Sequence, residues 1–429
     1  MVDWLSLFSQ FITEEVLDII VKWTNVEIGV RKQNYDQITS TQNDTNKEEV
    51  KALIGILVLT AALKDNHLSL DELFNTEAFR LQRQRDDPFT PIREIWEMLI
   101  TKCRNNYEAG SNVTIDEQLL AFREMICDSG TKYMLDCIPY LGRGTDTGGM
   151  PLGEYFVKEL TRSIYGTNRN ITMDNWFTSI TLAKQLLQQP YRLTIVGTLR
   201  SNKREIPEEM KNTRSRNINT SMFCYDGPLT LLSYKRKPSK MVYVLSSGDE
   251  EGTVNSDTHK PHLIEFYNST KGGVDTFDQM CSVMTCRRKT NRWPMCIFYG
   301  MLNIACINSY IIYCHNASIL GQKIMSRRDY MKELHSQLVK PWLETRLQIS
   351  TMSILGVAME VEGRDRDEGQ STSRNDSVLT DSQNIRKRKN CGICSYKKRR
   401  MTKSFCSKCS TAICGEHKID FCTNCAFKK

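Results

Sequence analysis

The chain has 429 residues, 40% of them hydrophobic, with a formal net charge of +8 and a pI near 8.7. That length exceeds one ordinary domain, and the apolar content is ample for a sizeable core, so a small coreless module is excluded. The basic excess is compatible with a polyanionic partner, and a secreted protein is not expected, because MVDWLSLFSQFITEEV carries acids early and lacks a cleavage site.

Residues 1–110 read as helical, with KALIGILVLTAAL an apolar core helix and IREIWEMLITKC an amphipathic one. Residues 111–200 alternate strand and helix patterns, an α/β arrangement. Within them, the DEQLL run reads as a helix start, so Asp116 and Glu117 are set aside as a candidate acid pair. Met125, Ile126 and Cys127 suit a buried strand that ends on Asp128, with Ser129-Gly130 turning into the next segment. Ile171, Thr172 and Met173 lead to Asp174 in the same way, and TSITLAKQLLQQ then has helical spacing with Thr178 as its cap. YRLTIVGTLR is strand-like and closes this region.

Residues 201–265 mix basic loops with strands such as MVYVLSS, and helices resume at Gly273 over residues 266–359. Asp275 follows Gly272-Gly273 at a helix start, and Asp278, three residues on, shares its face. The uncharged stretch Trp293 to Cys314 is long enough to cross a bilayer, but Gly300, Asn303, Asn308 and Ser309 mark it as a buried core helix, so no membrane partner is expected. Trp176 and Trp293 are expected to serve packing, and His67, His259, His262, His315 and His335 show no ligand spacing. Basic runs occur at Arg200 to Arg204, Lys235 to Lys240, Arg287 to Arg292, Arg386 to Lys389 and Lys397 to Arg400. Their lysines and arginines suit phosphate neutralisation.

Residues 360–390 are rich in charge, serine and asparagine and poor in apolar groups, which predicts a disordered linker. It ends in RKRK, read as an import signal for the nucleus. Seven of the 16 cysteines fall in residues 391–429, while the rest are scattered singly as in a reducing compartment. In order, Cys391, Cys394, Cys406, Cys409, Cys414, His417, Cys422 and Cys425 make eight ligands in four pairs. Each zinc takes four such ligands, so two structural Zn2+ ions are expected, and their binding supplies the folding energy of a tail with few apolar residues.

Magnesium and manganese take hard oxygen ligands, and enzymes that cleave phosphodiesters gather carboxylates from separate elements around two such ions. Asp128, Asp174 and Asp275, with Asp278 in reserve, are the candidates for that cluster.

The stretches TIDEQLLAFR, CDSGTKYM, PYLGRGT, MPLGEYFVKEL, NITMDNWFTS, YRLTIVGTLRSNKREIP, FCYDGPLTLLSYK and TKGGVDTFDQMCSVMTCRRKTNRWPM, with the cysteine-rich tail, resemble the piggyBac family of DNA transposases. The resemblance implies a ribonuclease-H-like α/β core (111–200 and 266–359) behind a helical dimerisation and DNA-binding region (1–110). It also implies a β-rich insertion (201–265) and a cross-brace zinc domain (391–429) that recognises terminal inverted repeats. By the same resemblance the catalytic aspartates are Asp128, Asp174 and Asp275, beside Asp278, holding two Mg2+ or Mn2+ ions. The implied reaction is strand cleavage by water, hairpin formation by the freed 3′-hydroxyl and joining at a TTAA target, usually by a homodimer on double-stranded DNA.

Two stretches found in relatives are absent. Phe122-Arg123 runs directly into Glu124, so the strand carrying Asp128 is expected to be shortened, and a helical segment is lacking between LFNTEAF and DDPFTP. These absences keep a rival open, a catalytically impaired, transposase-derived DNA-binding protein. A third class, a ubiquitin ligase acting through Ile393, is disfavoured because the single histidine stands sixth in the ligand order.

Overall fold

The computed structural model describes residues 3–33, 43–64, 89–118, 123–139, 147–212, 214, 216–248, 252–290, 292–348, 389–390, 401–402 and 412. The chain divides into two units, Met1–Leu355 and Gly356–Lys429. In the second, the described residues are a short antiparallel pair, Lys389–Asn390 with Met401–Thr402, and residue 412. The eight expected zinc ligands and most of the expected linker lie outside the described residues.

Four helices precede the first strand among the described residues of the larger unit: α1 (Trp4–Ser9), α2 (Glu14–Lys32), α3 (Lys47–Leu63) and α4 (Thr90–Asn105). Helix α3 forms where Asn46 accepts the Glu49 amide as a side-chain cap, and α4 where Pro91 sits in the first turn. Apolar stripes on both turn inward: Val50, Ile54, Leu57 and Val58 on α3, and Ile92, Ile95, Trp96 and Leu99 on α4.

A mixed sheet follows. Strands β1 (Asn112–Gln118), β2 (Arg123–Asp128), β3 (Met134–Pro139), β4 (Asn170–Met173), β5 (Thr194–Leu199), β6 (Ser221–Asp226), β7 (Leu229–Lys237) and β8 (Lys240–Ser246) lie in the order β3-β2-β1-β4-β5-β8-β7-β6. Strands β4 and β5 run parallel to β1 and its neighbour β4 in turn; the other pairings are antiparallel. A mixed sheet flanked by helices in this order is consistent with a ribonuclease-H-like core. Between strands lie α5 (Leu152–Leu160), α6 (Ile180–Leu187) and the short α7 (Glu208–Lys211), and after them α8 (His262–Thr270), α9 (Gly273–Val283), α10 (Trp293–Ile319) and α11 (Arg327–Gln348).

Two sequence expectations give way here. The DEQLL run is not a helix start: Asp116 to Gln118 complete β1, whose Val113 and Ile115 are wholly buried. Tertiary pairing with β2 and β4 overrides the local helical propensity of Glu, Gln and Leu. Nor does Thr178 cap α6, because Ser179 does so by accepting the Leu182 amide at 3.1 Å. β2, expected to be short, pairs over six residues with β1, from Val113↔Asp128 to Gln118↔Arg123, so its backbone groups are not stranded.

Helix α10 is long and apolar enough to cross a membrane by length and composition, yet its most apolar window is 67% buried within the protein. Its polar interruptions are satisfied inside. Asn308 accepts the Met134 amide at 3.0 Å and donates to the Met134 carbonyl at 2.9 Å, closing the edge strand β3. Asn303 accepts the Cys286 amide at 2.8 Å, fixing the start of the loop that carries Arg287 to Arg292. Buried amides with both ends engaged tie α10 to β3 and to the segment after α9 at no net polar cost.

Candidate active site

Strands β1 and β4 begin with the same pattern, Asn-Val-Thr-Ile-Asp (112–116) and Asn-Ile-Thr-Met-Asp (170–174). They pair in parallel without offset: Asn112↔Asn170, Val113↔Ile171, Thr114↔Thr172, Ile115↔Met173. The next pair of positions is Asp116 and Asp174. Side chains alternate along a strand, so the two aspartates share a face with Thr114 and Thr172. That face is covered by α8 and α9. Thr114 Oγ1 donates to the Thr270 carbonyl at 2.6 Å and Thr172 Oγ1 to Thr270 Oγ1 at 2.8 Å. A Cβ built on Gly273 would overlap Thr114, so glycine is required for α9 to start this close to β1. Asp275 lies in the first turn of α9, where the helix dipole favours a carboxylate, and Asp278 follows one turn later, half-buried.

Asp174 and Asp116 have local support. Asp174 Oδ1 accepts the Trp176 amide at 2.8 Å, and Thr178 Oγ1 donates to the Asp174 carbonyl at 2.6 Å. Gly197 of β5 leaves the space that Thr178 fills. Asp116 Oδ1 accepts the Glu117 amide at 2.9 Å. Burial first, and then the charges of Asp174 and Asp275, push the Asp116 carboxyl up to about 6. Tyr267 of α8 reports the same convergence: burial raises its phenol, and Asp174, Asp116 and Asp275 raise it further, against a hydrogen bond with Thr198.

Asp128, expected in this cluster, is elsewhere. It pairs with Val113, one residue out of phase with Thr114, and so belongs to the opposite face of the sheet. It also lies three strand positions from Asp116, about 10 Å along β1. Only 3% exposed, it accepts the Gly110 amide at 2.6 Å on Oδ2 and the Gly130 and Thr131 amides at 2.8 and 2.7 Å on Oδ1. Three backbone donors make it a turn-fixing carboxylate. The residue that sequence reasoning set aside, Asp116, stands beside Asp174 instead. The repeated Asn-apolar-Thr-apolar-Asp pentad is the signal that identifies it.

A further acid lies on the other face of the sheet, the one that carries Asp128. Glu124 of β2 faces Glu117 across the β1–β2 pair, is 6% exposed, and its Oε2 has no hydrogen-bond partner among the described residues. Burial, then the charges of Glu117, Asp116 and Asp174, push its carboxyl up to about 8.

Next to Asp174, a cleft of about 520 Å³ is lined by Asn175, Trp176, Arg200, Asn202, Lys203 and Arg204, with Pro151 to Gly153 and Glu205. Arg200 Nε donates to Asn175 Oδ1 at 2.7 Å, tying the basic turn to the strand end that carries Asp174. Trp176 packs against Phe156 and Phe177, and Trp293 stacks on Phe89 while staying 39% exposed. A shallow hollow of about 580 Å³ near β6, lined by Ile218, Phe223, Val254 and His259, holds no acid. Among the described residues, no three His, Cys, Asp or Glu side chains are drawn close enough to enclose a metal ion as they stand.

The family model for Transposase IS4 matches residues 70–310. A solved structure, the cryo-EM structure of piggyBac transposase synaptic complex with hairpin DNA, is 47% identical. It superposes with a TM-score of 0.79, covering 99% of this chain and 97% of the other.

Proposed function

The chain belongs to the IS4-type transposases, among the DNA transposases of piggyBac kind, and from that premise we propose that Asp116, Asp174 and Asp275 form its divalent-metal site for DNA strand cleavage and transfer. The observation that carries this reading is the pairing of β1 with β4, which sets Asp116 beside Asp174 on the face that α9 covers with Asp275. The donor set fits the ions in kind: oxygen-only carboxylates, the ligands Mg2+ and Mn2+ take, with Asp116 raised by burial and then by its acidic neighbours. Two such ions, when bound, would activate an attacking oxygen and steady a leaving one.

The chain's own residues do the rest. The Trp176 amide and Thr178 hold Asp174 in one orientation, and the start of α9 presents Asp275. Asp278, one turn on, is the reserve acid. Arg200, Lys203 and Arg204 line the cleft beside Asp174 and suit the phosphates of a strand led to the carboxylates. We extend to this chain the hairpin DNA of its structural relative, the TTAA target and terminal repeats of the family, and a homodimeric assembly. Residues 391–429 would hold two Zn2+ ions on their eight ligands and read the repeats, and the basic run ending at Lys389 would direct the protein to the nucleus. Glu124, whose Oε2 meets no hydrogen-bond partner among the described residues and which stands opposite Glu117, favours the rival reading in which DNA is bound without turnover.

The test is nicking of DNA carrying the element ends in Mn2+. Asp116→Asn, Asp174→Asn and Asp275→Asn are expected to lower the rate at least ~100-fold with DNA binding retained. Asp128→Asn is expected to lower stability and leave the Mn2+ requirement unchanged. Binding without nicking by the unaltered chain would establish the rival, and a metal requirement lost in Asp128→Asn but kept in Asp116→Asn would overturn the assignment.

A further inference from the structure

Beneath the carboxylates runs a chain of buried hydroxyls. Thr114 is 1% exposed, Thr172 wholly buried and Thr270 6% exposed. Thr114 Oγ1 gives its proton to the Thr270 carbonyl, so its 2.8 Å contact with Ser129 Oγ is one in which it accepts. Thr172 Oγ1 donates to Thr270 Oγ1, which donates to the Phe266 carbonyl at 2.9 Å, while Asn170 Nδ2 donates to Thr172 Oγ1 at 3.3 Å. Each hydroxyl has one proton, and the directions agree along both branches.

The placement is specific. Thr114 and Thr172 are register partners, each two residues before an aspartate of the proposed site. Both converge on Thr270, the last residue of α8 and five before Asp275. The carbonyl that Thr114 caps belongs to the end of α8, where the helix leaves it without an intrahelical donor. Between Thr270 and Asp275 the chain is pinned again, because Gly273 presses on Thr114.

We propose that Thr270, with Thr172 and Thr114, is a positioning residue: the hydroxyls set how far Asp275 on its helix stands from Asp116 and Asp174 on their strands, and thereby the divalent-cation affinity of the three. This rests on the carboxylate reading above. A purely structural role would cost stability alone; the positioning role changes cation affinity in step with hydrogen-bonding strength.

The experiment is calorimetric Mn2+ binding to the full-length protein, referenced to Asp174→Asn, with the melting temperature of each metal-free variant recorded. Thr172→Val and Thr270→Val, close in volume but without the hydroxyl, are expected to weaken Mn2+ binding ~10-fold, as loss of a group that orients a ligand does. Thr172→Ser and Thr270→Ser restore it, and Thr172→Cys, a weaker donor of similar size, falls between and covers the case in which a valine variant fails to fold. The pair Thr172→Val/Thr270→Val is expected to bind no more weakly than either single variant, since both remove one shared bond. Unchanged affinity in the valine variants, or loss in the serine variants equal to that in valine, overturns the inference while leaving the carboxylate site standing. No Mn2+ binding by the unaltered protein, over and above Asp174→Asn, overturns both.

Discussion

Glu124 shows what one side chain does to the balance of the sheet. In the native state its carboxyl titrates near 8, well above the 4.5 of an exposed glutamate, so between those values the folded protein holds a proton that the unfolded chain has lost. Stability contributed by the protonated form is therefore complete below about pH 4.5 and is lost as pH rises toward 8. Glu124→Gln removes the titration and keeps the volume. It is expected to raise stability by about 1–3 kcal/mol at pH 8, to change it little at pH 4.5, and to flatten the pH dependence between; chemical denaturation at both values measures it. The residue scale is also where the sequence was least legible. Asp174 and Asp275 could be read from a strand end and a Gly-Gly turn, but Asp128 offered the same strand-end signature while facing the other side of the sheet. Register, which assigns a face, is a property of the pair of strands and is not visible in either one alone.

At the level of elements, the site depends on two contacts between helix and sheet. α9 begins over β1 only because residue 273 has no side chain, and α8 ends over β1 and β4 because Thr270 meets two strand hydroxyls. Gly273→Ala places a methyl group against Thr114 and forces the start of α9 away from the sheet. An overpacking cost of about 1–3 kcal/mol is expected, with weaker Mn2+ binding that Thr114→Ser does not relieve, because serine keeps the Oγ1 and Cβ that the new methyl group meets; melting temperature and calorimetry on the double variant check it. The helix starting at residue 273 was legible from Gly-Gly and the periodicity that follows. β1 was not, because DEQLL favours a helix locally and is overruled by partners on both sides. α10 illustrates the reverse case: Asn303 and Asn308, which break its apolar run, foretell burial, and each binds backbone on a neighbouring segment.

For the whole molecule, charge placement decides how DNA is approached. Net charge is modest at +8, so a salt-sensitive interaction has to come from clusters, and one of them, Arg200 to Arg204, borders Asp174. If Arg200, Lys203 and Arg204 each neutralise a phosphate, replacing all three by alanine reduces the slope of log affinity against log salt by up to ~2.7, at about 0.9 per contact on duplex DNA. Titration of a labelled element end at several salt concentrations measures the slope, and an unchanged slope would place the phosphates elsewhere. Family membership was legible across most of the chain because many short segments keep their order; the sheet that joins them required coordinates, since β4 and β5 pair across intervening helices.

The in-phase pairing of β1 with β4 has a consequence for which changes of length such chains withstand. Residues 112–115 pair with 170–173 and so set Asp116 beside Asp174, while β1 continues past them to Gln118. The Asp116–Asp174 register is set before Gln118, so changes of length after that residue leave it intact, whereas losing a single residue between Asn112 and Asp116 would turn the aspartate to the wrong side. Damage to genes of this kind is better judged by its phase against these pentads than by its length.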